Sequence, residues 1–165
     1  MDKTAIIFGS TTGMTEDIAN KIASQLNISK DNVYEVANIT PEIVSQYDVL
    51  LLGSSTWGSG ELQDDWYDGV EVLKKSDLNG KKISFFGTGD SESYPDTFCD
   101  AIGLIYKEIR SSGATFIGQV DTSEYNFDES VAVENGKFVG LALDETNESN
   151  KTDDRINRWI KSLVI

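Results

Sequence analysis

The sequence contains no histidine and a single cysteine, Cys99, in 165 residues. Without an imidazole there is no Ser-His-Asp triad, no histidine acid–base pair and no histidine-held metal. One cysteine excludes an intrachain disulfide framework, a cysteine-rich zinc site and a protein-ligated iron–sulfur cluster. Basic residues are scarce as well, 14 Lys and Arg against 28 Asp and Glu, which leaves a formal net charge of -14. Such a surface repels nucleic acid and anionic lipid and steers the chain toward basic surfaces, so nucleic acid and membrane are not expected partners and a monomer is the expected state. No apolar run reaches the roughly eighteen residues of a membrane span, and no basic segment leads into an apolar one at the start; a soluble, cytoplasmic protein is expected. Repeats and low-complexity tracts are also missing. No catalytic or metal-ligating set is expected in the chain itself, so any chemistry belongs to something bound.

What remains is the composition of a globular protein, 39% hydrophobic and 10% aromatic, in a length that suits one domain burying roughly two thirds of its unfolded surface. Nearly continuous apolar runs recur at "TAIIFG", "DVLLLGS", "KISFFG" and "ATFIGQV", with a weaker one, "NVYEVAN", after the first. Continuous rather than alternating runs fit parallel strands covered on both faces. Between them Ile18, Ala19, Ile22, Ala23 and Leu26 share one helical face, as do Phe98, Ile102, Ile105 and Ile109. The βα alternation predicts an α/β fold with a five-stranded parallel sheet, helices on both faces and right-handed crossovers, and the doubly wound order taken for it is 2-1-3-4-5. A polar stretch over 121–136 interrupts the fifth strand before "KFVGLAL" resumes an apolar run. The last helix follows, with Thr152 as the expected cap and Asp153 and Asp154 in its first turn.

The first strand breaks into "STTGMT", residues 10–15, before the first helix. Four hydroxyls and a glycine around the free amides of a helix start suit a phosphate. The loop has neither the Gly-Lys-Ser/Thr of a Walker A loop nor a G-x-G-x-x-G fingerprint. With Glu16 and Asp17 next in line, it must hold an anion by hydrogen bonds rather than by net charge. An ordinary helix start capped by Ser or Thr accounts for the same residues equally well. In the expected sheet order, the loops after the third and fourth strands line the same crevice. They are "STWGSGELQDDW" and "TGDSESYPDTF", with Trp57 and Tyr94 at their tips. Two aromatic walls and a phosphate cradle describe a slot for a planar ring with a phosphorylated tail, although a loop aromatic can also fold back as a lid. Trp66, Phe98 and Trp159 fall in helical patterns that mark core, and Cys99 reads as a small buried residue.

These residues resemble the flavodoxins. The matching pieces, "FGSTTGMTEDIA", "STWGSGELQDDW", "GTGDSESYPDTFCDAIG" and "GKFVGLALDETNESNKTDDRINRW", span nearly the whole chain, and the interrupted fifth strand is similar to the insertion of the long-chain subgroup. A cofactor at the switch point is a known flavodoxin property, so that placement rests on the resemblance. The resemblance implies one domain over 1–165 that binds FMN, with Ser10, Thr11, Thr12, Gly13, Met14 and Thr15 at the phosphate. It implies that Trp57 and Tyr94 flank the isoalloxazine and that Asp90 lies at its pyrimidine edge. The other expected cofactor contacts are Ser55, Thr56, Gly58, Ser59, Gly60, Thr88, Gly89, Asp96, Phe98 and Cys99. Many relatives carry Asn where this chain has Met14, and "SESYPD" departs from the usual residues before the tyrosine. The implied function is a small carrier that moves low-potential electrons one at a time, without substrate turnover of its own. The Gly58–Ser59 peptide would turn toward flavin N5 on reduction.

Glu61, Asp65, Asp68, Asp90, Glu92, Asp96 and Asp100 crowd these loops. They would oppose a further negative charge on the flavin and offer a docking rim to basic-surfaced redox proteins, a flavodoxin reductase or oxidoreductase as donor and an acceptor enzyme. The alternative within the fold is an FMN-dependent oxidoreductase of the quinone reductase type, which needs substrate room over the ring. A response-regulator receiver shares the sheet order but requires an Asp where the third strand here ends in "GSS".

Overall fold

A computed structural model describes residues 3–165. Five parallel tracks form the central sheet. Strand β1 (Thr4–Gly9) lies between β2 (Val33–Glu35) and β3 (Val49–Trp57), and β5 (Lys82–Thr88) pairs with the far side of β3. The outer side of β5 is taken by two separate pieces. Strand β6 (Thr115–Phe116) pairs with its start, at Lys82 and Ile83, and β10 (Leu141–Leu143) pairs with its end, at Phe86 to Thr88. With β6 and β10 as the halves of one interrupted strand, the order is the expected 2-1-3-4-5. The chain returns to the sheet through Gly140, where a Cβ would stand 2.1 Å from the Phe85 carbonyl oxygen. Only glycine permits that approach.

The inserted segment is itself a small antiparallel sheet of β7 (Val120–Asp121), β9 (Lys137–Phe138) and β8 (Val133–Glu134), in that order. Its tip is the two-residue turn Asn135-Gly136, with φ of 54° and 80°. Both residues of a type I′ hairpin turn need positive φ, and Asn-Gly supplies them. The apolar run "KFVGLAL" is thereby divided, since Lys137 and Phe138 belong to the small sheet and only Leu141–Leu143 rejoins the large one.

Alternate residues of each strand enter opposite cores. Ile6, Phe8, Leu51, Phe86 and Leu141 meet α1 (Met14–Leu26) and α5 (Thr152–Ser162), through Ile18, Ile22, Ile156 and Trp159. Ala5, Ile7, Leu50, Leu52 and Phe85 meet α3 (Asp65–Lys75) and α4 (Asp100–Ile109), through Trp66, Val70, Ile102 and Ile105; the short α2 (Pro41–Ser45) adds Val44. Each such apolar side chain contributes about 1.5–3 kcal/mol when fully buried, which is why both strand faces are apolar. Thr152 begins α5 but does not cap it: the cap position is Lys151, and the Thr152 hydroxyl donates instead to the Glu145 carboxylate. No helix among the described residues is long and apolar enough to cross a membrane.

Candidate functional site

Because the five tracks are parallel, the loops leaving β1, β3, β5 and β10 emerge at one edge. After β1 the chain turns at Gly13, whose φ of 91° and open surroundings suit glycine alone, and whose amide donates to Ser10 Oγ at 3.0 Å. Helix α1 starts there without a side-chain cap. Its first amides are therefore free, with the positive end of the helix dipole behind them. Thr15 is only 1% exposed, yet its hydroxyl oxygen has no hydrogen-bond partner. A buried hydroxyl left unpaired costs about 1–3 kcal/mol, and beside uncapped amides it marks a place built for an acceptor. Gln63, buried under this loop, donates to Thr11 Oγ1 at 3.2 Å and accepts from the Asp65 amide at 3.0 Å, so it ties the first loop to the start of α3. A Cβ on Gly9 would stand 2.3 Å from Gln63 Oε1.

Strand β3 runs on through Trp57 and folds back to β4 (Glu61–Leu62), with the Gly60 amide donating to the Trp57 carbonyl at 3.2 Å. Gly58 has a φ of 51° and empty space where a Cβ would be. The Trp57 indole donates to Ser55 Oγ at 2.9 Å and stays 39% exposed. After β5, the Gly89 amide donates to the Leu143 carbonyl, and a Cβ on Gly89 would lie 2.8 Å from the Cys99 nitrogen. The Asp90 carboxylate accepts from Asn147 Nδ2 at 2.8 Å and from the Ser93 amide at 3.0 Å. Those donors, Asn147 foremost, hold its carboxyl below the usual range.

These loops enclose an open cleft of about 160 Å³ lined by Thr12, Met14, Ser55, Thr56, Trp57, Gly58, Thr88, Gly89, Asp90, Tyr94, Thr97 and Thr146. Ten of these were expected from the sequence, and Ser10, Thr11, Gly13 and Thr15 form the cradle beside it. Ser59 and Gly60 lie in the hairpin turn outside the lining. Three of the expected contacts lie away from the cleft, two of them, Phe98 and Cys99, buried as their core reading expects. Phe98 turns inward onto Phe127 and Phe138, with ring centroids 5.7 and 5.9 Å away, because the inserted segment gives it an aromatic core to join. Cys99 is fully buried, its thiol directed to the Leu143 carbonyl at 3.7 Å and pushed up in pKa by burial. Asp96 faces a groove along residues 127–131, on the other side of its loop.

Sequence reasoning missed Gln63, Thr97, Thr146 and Asn147. Thr146 follows β10, which runs parallel to β5 and so delivers a fourth loop to the same edge; the apolar run before "DET" was its signal. The inserted segment also supports the third loop directly. The amides of Asp128 and Glu129 both donate to the Pro95 carbonyl, and the Val131 amide donates to buried Asp100 Oδ1 at 2.9 Å. A larger cavity of about 310 Å³ lies elsewhere, between the inserted segment and α5. Its buried Arg155 stacks on Tyr125 at 4.0 Å and pairs with Glu148 through Nη2 at 3.2 Å, while its Nε and Nη1 have no hydrogen-bond partner.

Comparison with known proteins converges on one family. The Flavodoxin family model matches residues 6–159. Flavodoxin 1 of Escherichia coli is 42% identical over 161 residues, covering 97% of this chain and 92% of that protein. The flavodoxin of a Nostoc species is 40% identical over 161 residues, covering 98% and 95%. Among solved structures, Fusobacterium nucleatum flavodoxin bound to flavin mononucleotide superposes with a TM-score of 0.89 at 31% identity, over 98% of this chain and 96% of that one.

Proposed function

The chain belongs to the flavodoxin family, and from that premise we propose that it binds FMN non-covalently in the cleft and carries electrons, one at a time, between larger redox proteins. The observation that carries this reading is the juxtaposition of an uncapped helix start and an unpartnered, buried Thr15 hydroxyl with a cleft walled by Trp57 and Tyr94. Ser10, Thr12, Thr15 and the amides of the loop and first helical turn, apart from that of Gly13, which donates to Ser10 Oγ, hold the phosphate by hydrogen bonds where no lysine is present. Trp57 and Tyr94 wall the ring. They are 39% and 44% exposed, and the cleft is smaller than the roughly 300–1,000 Å³ of a pocket that engulfs its ligand. A ring edge left open in this way suits transfer to a docked partner.

Bound FMN supplies the redox chemistry, and the chain tunes it. Asp90 keeps a negative charge at the rim, and no Lys or Arg lines the cleft to offset it. A further electron placed on the ring therefore meets repulsion, which lowers the potential of full reduction. Gly58, with positive φ and open space, can turn its peptide at low steric cost and present its carbonyl to the ring. The same acidic rim favours basic-surfaced donors and acceptors. Anaerobic stepwise reduction of the FMN-loaded protein, followed by visible absorption, tests the reading. Two separate one-electron steps are expected. A single two-electron step would favour an FMN-dependent oxidoreductase, and failure to take up FMN would overturn the assignment of the cradle.

A further inference from the structure

We propose that Asn147, held in place by buried Asp144, is a positioning residue that fixes the charge and the direction of the Asp90 carboxylate at the rim of the cleft. Neither Asn147 nor Asp144 lines the cleft. Asp144 directly follows β10 and is 0% exposed. A carboxylate so deep persists only if its oxygens are satisfied. They are: Ser91 donates from its amide at 3.2 Å and its hydroxyl at 2.5 Å, and Asn147 donates from its backbone amide at 3.1 Å. The Asn147 side-chain amide lies 3.1 Å from both Asp144 oxygens and 2.8 Å from Asp90 Oδ1. Both neighbours are carboxylates, which only accept, so the NH₂ group must face them. One of its two hydrogens serves Asp144 and the other serves Asp90.

The surroundings make that second hydrogen decisive. Glu92 and Tyr94 on the same loop, Asp144 and Glu148 beyond β10, and Lys151 and Arg155 paired with Glu148 are the titratable groups around Asp90 and Asn147. The cleft and the adjoining groove include no Lys or Arg among their lining residues. Glu92 and Asp144 oppose ionisation of Asp90, while the Glu148 charge is offset by Lys151 at 2.7 Å and Arg155 at 3.2 Å. Neutral donors hold the Asp90 carboxyl below the usual range and fix where it points, Asn147 first and the Ser93 amide after it. Asp144 does not act on the ring; it orients the amide that does the holding. The consequence for redox tuning rests on the proposed FMN reading, whereas the ionisation of Asp90 does not.

The test has two parts. In the apoprotein, the carboxyl ¹³C shift of Asp90 is followed against pH for the wild type and Asn147→Ala, with the amide spectrum as a check on folding. Asn147→Leu, close to Asn in size but without donors, serves if the alanine variant does not fold. The titration midpoint is expected to move to higher pH. An unmoved midpoint overturns the proposal. In the FMN-loaded protein, the potential of the second electron is compared for Asn147→Ala, Asp90→Asn and the double variant. Asn147→Ala leaves Asp90 ionised at neutral pH but frees its carboxylate to swing from the rim into solvent, so it is expected to make that potential less negative and to add nothing once Asp90 is Asn. A full additive effect in the double variant would overturn the route through Asp90. If the wild type takes up no FMN, the cofactor reading fails while the apoprotein titration still decides the role of Asn147.

Discussion

Thr15 carries an energetic contradiction at the cleft, a hydroxyl sealed inside without a partner next to helix amides that also lack one. In the apoprotein that hydroxyl is a liability, since burying it unpaired costs about 1–3 kcal/mol. With a phosphate in the cradle it becomes a donor at a prepared position. Thr15→Val, which keeps the shape and removes the hydroxyl, should therefore leave apoprotein stability equal or raised by about 1 kcal/mol. The same change should weaken FMN binding about tenfold, as the loss of one hydrogen bond to a charged group predicts. Thermal unfolding of the apoprotein and flavin fluorescence titration read the two quantities separately. A variant less stable without FMN and unchanged in affinity would assign Thr15 to the fold instead of the site.

At the scale of elements, the inserted segment and α4 meet so closely that a Cβ on Gly103 would stand 2.5 Å from the Val131 carbonyl. Their polar link is Asp100, buried in the first turn of α4 and accepting from the Val131 amide. Burial, the largest influence, pushes its carboxyl above the ordinary carboxylate range. A folded-state pKa above the unfolded one means stability that is fully present below the unfolded pKa and lost as pH rises through the folded pKa. Ionised Asp100 therefore works against the fold at neutral pH. Asp100→Asn retains an oxygen for the Val131 amide and removes the charge, so it should melt higher than the wild type at pH 7 and equally near pH 3. An offset of the same size at both pH values would locate its cause in packing.

Over the whole molecule the charges are sorted by the topology. Acids occupy the first turns of four helices, Glu16 and Asp17, Asp65 and Asp68, Asp100, and Asp153 and Asp154, while Lys74 and Lys75, Lys107, and Lys161 occupy last turns. Crossover helices run back against the parallel strands, so the first turns gather at the edge that bears the cleft and the last turns at the opposite edge. Each placement suits its helix dipole; together they make one end of the molecule acidic. Salt should then act with opposite signs. Raising ionic strength from about 0.01 M to 0.15 M shortens the screening length from about 30 to 8 Å. Self-repulsion from the net charge of -14 weakens, so the apoprotein's melting temperature should rise by a few degrees. Electron transfer with a basic partner should slow over the same range, which stopped-flow kinetics can follow; rates indifferent to salt would argue against electrostatic docking.

The sequence alone determined the parallel strands and the helices between them, because apolar runs buried on both faces and glycine-rich breaks are local signals that survive without tertiary context, whereas which strands pair is not a local signal. Ten of the residues lining the cleft were legible through the family resemblance, whose motifs lie on short loops directly after those runs. Tertiary structure decided the rest. Phe98 sits in a helical pattern beside the third loop, and only the arrival of Phe127 and Phe138 from the inserted segment draws it away from the cleft. "KFVGLAL" is one apolar run in sequence but two strands in space, divided where the chain must cross the Phe85 carbonyl at Gly140. Asn147 carries no motif at all. Its role comes from lying between two carboxylates, Asp144 and Asp90, that are 54 positions apart in sequence and joined by one amide in the fold. Periodicity fixes which residues are buried, whereas a hydrogen-bond partner across such a distance exists only once the chain has closed on itself.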